Sequence, residues 1–202
     1  MKNDTINPQL EFHKSSTGEA TEGFLSEEKF NGILFFLKEP NSGGEPSDVF
    51  WLKKVIYNEG NYLSSLTNKE DKIAATKYPN LLKKCLKQIE INEEELKYCA
   101  YMNLHPNFGE KNISDDYKDM LSNFNKNSGQ WQLIEKLRPR VIFTSIDIYK
   151  RIQAILNINP NDQINGIKYK GEILPCFEGI IGNKLCKVYA IYHPSARKSI
   201  IY

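Results

Sequence analysis

Near its end the chain carries an unusual pentapeptide. The apolar run Val188-Tyr189-Ala190-Ile191-Tyr192 leads straight into His193-Pro194-Ser195-Ala196-Arg197. Proline at 194 locks one backbone angle and biases His193 toward an extended conformation, so the imidazole is delivered at a strand end with little freedom. Two other apolar runs end on polar groups. Gly32-Ile33-Leu34-Phe35-Phe36-Leu37 is followed by Lys38-Glu39-Pro40-Asn41, and Tyr98-Cys99-Ala100-Tyr101-Met102 by Asn103-Leu104-His105-Pro106. A carboxylate can orient or deprotonate water, an imidazole can donate to a departing group, and a carboxamide offers a donor and an acceptor side by side.

Such groups act together only if the strands that carry them end along one edge. A fourth apolar run, Arg140-Val141-Ile142-Phe143-Thr144, is followed by Ser145 and Asp147. All four runs are nearly continuous rather than alternating, as a sheet buried on both faces requires. Helical stretches separate them. Ser47 is expected to cap a helix to about Tyr57, Asn80 one to about Ile89, Ser114 one to about Phe124, and Asp147 one to Leu156. Gly129 to Leu137 is short but periodic and stops before Pro139. Strands alternating with helices predict right-handed crossovers and an α/β fold: three layers, α/β/α, around a central, mainly four-stranded parallel sheet. Residues 157–186 interrupt the rhythm with Asn-Pro, Asn-Gly and Gly-Asn turns, which points to a hairpin or irregular insertion.

The remaining composition sets bounds. The 202 residues suit one domain with its own core, of which 40% are apolar and 11% aromatic. Residues 1–22 are polar and read as a loosely docked arm before a single domain at 23–202. A net charge of +2 leaves any nucleic-acid partner to a local basic patch. No apolar run reaches membrane-span length and Met1 to Glu11 lacks a signal-peptide core, so a cytoplasmic protein without a membrane partner is expected. Cys85, Cys99, Cys176 and Cys186 form no CxxC pair and are expected as reduced, partly buried thiols. The acidic run Glu90, Glu93, Glu94 and Glu95 reads as a solvated face.

The ordered motifs resemble the uracil-DNA glycosylase superfamily, over roughly residues 30–198. His193-Pro194-Ser195 matches the family's last motif in full, with Ala196-Arg197 where a residue wedges into the duplex. Asn103 matches the asparagine that reads the uracil edge. Glu39 stands before Pro40 where the family positions or activates water, although Leu37 replaces the usual opening glycine and relatives carry Asp or Asn in place of Glu39. Phe50, with Trp51 as the near alternative, fits the aromatic that stacks on the extruded base. Leu137-Arg138-Pro139-Arg140-Val141-Ile142-Phe143-Thr144 looks like the third strand. The cysteines do not align with those of the iron–sulfur branch, so no metal, cluster or other cofactor is expected.

The resemblance implies a monomeric DNA-repair glycosylase that hydrolyses the N-glycosidic bond of uracil or a related damaged base. Glu39 and His193 would be catalytic, and Phe50 and Asn103 would bind the base. Lys38, Ser195, Arg197 and Lys198, with Lys184 a further candidate, would meet DNA phosphates. His105 is either a second site residue or a turn histidine beside Pro106. The rival reading is a non-catalytic member of the same fold that binds nucleic acid or protein through the same edge. A small-nucleotide-binding α/β domain is disfavoured, because Ser42-Gly43-Gly44 is too short for a phosphate loop.

Overall fold

The computed structural model describes residues 23–24, 29–38, 55–57, 61–105, 115–169 and 171–192. The 1–22 arm and nearly all of the helix expected from Ser47 lie outside them. Each of the four apolar runs forms a strand: β2 (Ile33–Leu37), β3 (Ala100–Asn103), β4 (Val141–Ser145) and β7 (Lys184–Ile191). They are mutually parallel and lie in the order β3-β2-β4-β7.

The sheet is larger than the four strands expected. It has seven strands and is mixed. The two-residue β1 (Gly23–Phe24) pairs antiparallel on β3, while β6 (Glu172–Ile181) and β5 (Ile164–Tyr169) add antiparallel strands beyond β7. Within 157–186 the hairpin alternative holds rather than the irregular insertion: β5 and β6 pair antiparallel. A two-residue turn folds β6 onto β7, with Gly182 at φ 52 and Asn183 at φ 67. Two consecutive positive φ values match the right-handed twist of a hairpin. Glycine is required at 182, where a Cβ would lie 2.4 Å from the Glu135 carbonyl oxygen.

Alternate residues of the parallel strands face two separate cores. Leu34, Phe36, Ala100, Met102, Ile142 and Val188 meet α2 (Asp115–Asn123), α3 (Gly129–Leu137) and α4 (Ile146–Ile155). Ile33, Phe35, Leu37, Tyr101, Phe143 and Tyr189 meet α1 (Lys69–Gln88) and the 3-10 helix Glu93–Tyr98. The second face holds a ladder of rings, Phe35 on Phe143 at 5.0 Å and Phe143 on Tyr189 at 5.5 Å. Helices on both faces make the three layers.

Two local expectations change. The helix expected from Asn80 begins at Lys69 and runs through Pro79. Proline in a helix interior costs about 3 kcal/mol. Burial of Leu82 and Leu86 against the sheet anchors the turns beyond it. The helix after β4 is capped by Ser145, not Asp147; Asp147 lies in its first turn, where a carboxylate complements the helix dipole. Asn92 caps the 3-10 helix, accepting from the Glu94 amide at 3.0 Å, and Glu90, Glu93 and Glu94 stand in solvent as read.

Candidate functional site

The chain leaves β2 for β3 on one side, then crosses to β4 and β7 on the other. Its helices change faces as the direction reverses, as one constant crossover hand demands. The reversal falls between β2 and β4, and the carboxyl ends of strands at such a switch point are where open α/β sheets bind ligands. Register places the strand ends in one row. Asn103 pairs with Leu37, Thr144 with Phe36, and Ser145 with Ile191. At about 4.8 Å per strand, the ends of β2 and β7 lie about 10 Å apart.

The β2–β3 pairing continues beyond the strands. The Leu104 amide donates to the Leu37 carbonyl at 2.8 Å, and the His105 amide to the Lys38 carbonyl at 2.9 Å. Gln130 of α3 donates its carboxamide to the Leu104 carbonyl at 3.2 Å. The backbone around Asn103 is thus fastened to the first residue of the loop that contains Glu39. Asn103 is only 1% exposed, and its Oδ1 accepts from the Tyr101 hydroxyl at 3.3 Å. His105 is buried beside it.

Lys38 does not point freely to solvent. Its Nζ lies 2.5 Å from Asp147 Oδ2 in the first turn of α4, and 5.5 Å from the centre of the buried Tyr117 ring of α2. The ion pair links the end of β2 to the helix that follows β4. Ser145, also 1% exposed, caps α4 without a side-chain cap bond, and its Oγ has no partner.

Of the residues singled out from the sequence, Lys38 and Asn103 are thus brought together on one edge. Glu39, Phe50, Trp51, His193, Ser195, Arg197 and Lys198 lie outside the described residues. Lys184 must be withdrawn from the edge. It opens β7 and pairs with Ile181 beside the hairpin turn, about 23 Å along the strand from Ile191. Asp147 and Tyr117 were not expected as partners of Lys38. The sequence separation of 109 residues between Lys38 and Asp147 carries no periodic signal.

The four cysteines are free thiols, Cys85 partly buried and the others buried. Burial pushes Cys85, Cys99 and Cys186 up to about 12 and Cys176 up to about 11, which suits inert core groups rather than nucleophiles or ligands. Among the described residues no three His, Cys, Asp or Glu side chains converge as a metal site, and no helix is long and apolar enough to cross a membrane. Comparisons with protein-family models, curated proteins and solved structures return no match.

Proposed function

We propose that this chain is a DNA-repair glycosylase with a uracil-DNA glycosylase-like fold, which hydrolyses the N-glycosidic bond of uracil or a related damaged base. One observation carries the reading. The strands that lead into Glu39 and His193 end about 10 Å apart on the same sheet edge, separated only by Ser145 of β4, with Asn103 on the far side of Leu37. Two loops that leave from such points can flank one sugar.

The base must leave the stack before its bond to the sugar is accessible. Phe50 supplies a ring face, and Asn103 pairs with the imide edge. Cleavage leaves negative charge on the base and positive charge on the sugar. A donor at His193 stabilises the first, by about 2–4 kcal/mol when well placed. An ionised Glu39 favours the second and orients water. Lys38, Ser195, Arg197 and Lys198 hold phosphates.

The test is cleavage of uracil-containing single- and double-stranded oligonucleotides after alkali treatment. Strand breaks that disappear in Glu39→Gln support the reading; intact oligonucleotides across a panel of damaged bases sink it. A second reading, a non-catalytic binding module on the same edge, is favoured by the near-complete burial of Asn103, since a base reaches that amide only after its cover moves. Binding without cleavage, unchanged in Glu39→Gln, would select it.

A further inference from the structure

The geometry points to Asp147 as an internal stand-in for a nucleic-acid phosphate: it holds Lys38 in the free protein and surrenders it when DNA reaches this edge. The inference rests on the reading that this edge meets DNA, and adds a residue to which that reading gives no role.

Three features support the exchange. The Asp147 carboxylate, 2.5 Å from Lys38 Nζ, presents to the ammonium the same kind of anionic oxygen as a phosphate. The pair is graded in exposure, with the Lys38 side chain 17% exposed and that of Asp147 40%, so the carboxylate can turn out into solvent while the ammonium keeps its place. Tyr117 lies under the ammonium at 5.5 Å, and an aromatic face keeps a cation in place whichever anion is its partner. DNA binding through Lys38 therefore has to displace a part-buried ion pair, which weakens it by roughly two- to fivefold.

The experiment is fluorescence anisotropy with a labelled, uracil-free single-stranded 20-mer, titrated across a range of salt concentrations, for wild type, Asp147→Asn, Lys38→Met and the double variant. Methionine keeps the alkyl stem against Tyr117 and removes only the charge. Asp147→Asn is expected to lower Kd by roughly two- to fivefold at low salt. Lys38→Met should reduce the magnitude of the log–log salt slope by about 0.7, one single-strand phosphate contact. In the Lys38→Met background the Asp147→Asn gain should shrink below about twofold, because the competition no longer exists. Equal gains in both backgrounds would mean that Asp147 acts only as a nearby negative charge, and would overturn the exchange. So would a salt slope unchanged by Lys38→Met. Absence of binding by all four proteins would instead remove DNA from this edge altogether, and the proposed function with it.

Discussion

Replacing Asn103 by alanine separates what this residue does for the fold from the role in base binding proposed for it. In the folded protein it is 1% exposed, with Oδ1 3.3 Å from the Tyr101 hydroxyl. That bond is long, and its loss leaves a buried hydroxyl short of one acceptor, at a cost of about 1–2 kcal/mol. The backbone bonds from Leu104 to Leu37 and from His105 to Lys38 do not involve the side chain and survive. A chain of this size should then melt about 2–8 °C lower. With about 5–15 kcal/mol of stability typical of a domain, the variant stays folded at 25 °C. Its activity, by contrast, should drop roughly 10²- to 10³-fold, the usual consequence of removing a preorganised hydrogen-bonding group from a reacting site. Initial rates of uracil excision, with circular-dichroism melts of the same preparations, measure both. A folded Asn103→Ala protein that excises within about threefold of wild type would refute the assignment of Asn103 to the base. A fall in melting temperature beyond about 15 °C would refute the claim that the backbone clamp, rather than the side chain, holds this edge together.

Gly166→Ala should destabilise by more than about 3 kcal/mol, since a Cβ there would lie 2.1 Å from the Leu174 oxygen and 2.9 Å from the Pro175 carbonyl carbon, both backbone; a denaturant midpoint close to wild type would contradict this. Gln88→Ala removes the carboxamide that accepts from the Lys168 amide at 2.7 Å and donates to the Lys168 carbonyl at 2.5 Å. It should cost about 1 kcal/mol and speed hydrogen exchange at β5 selectively, as followed by mass spectrometry. The thiol pKa values, raised by burial to about 11 or 12, predict that iodoacetamide at pH 8 labels the native protein slowly, Cys85 first, and the denatured protein quickly. The folded state keeps its thiols protonated while the unfolded chain loses those protons from about pH 8.5. Stability is therefore intact below that pH and falls as pH rises toward 11–12, by about 1.4 kcal/mol per thiol per unit; a flat urea midpoint between pH 8 and 10 would contradict the burial of these groups.

The four parallel strands were legible because each is buried on both faces, and a nearly continuous apolar run leaves few other structures. The helix over Gly129–Leu137 was legible from its period, and the last hairpin left a Gly-Asn trace. The extent of α1 was not legible. Pro79-Asn80 reads locally as a break, and only the packing of Leu82 and Leu86 on the sheet reverses that preference. The turns of 157–186 left a hairpin as one reading, but not its addition to the main sheet beyond β7, because strand pairing is a non-local gain that no window of residues contains. Within the site, the proximity of Asn103 to the Glu39 loop followed from strand order alone. The capture of Lys38 by Asp147 did not.

By itself, the sequence determined the four parallel strands and which polar groups follow them, since these depend on local side-chain character and backbone restriction. Only the tertiary structure decided the seven-stranded width of the sheet, the row that sets Asn103, Leu37, Ser145 and Ile191 side by side, the distance of Lys184 from that row, and the partner that holds Lys38. Each of these depends on register and on contacts between residues far apart in the chain, whose energies appear only once the sheet has brought them together.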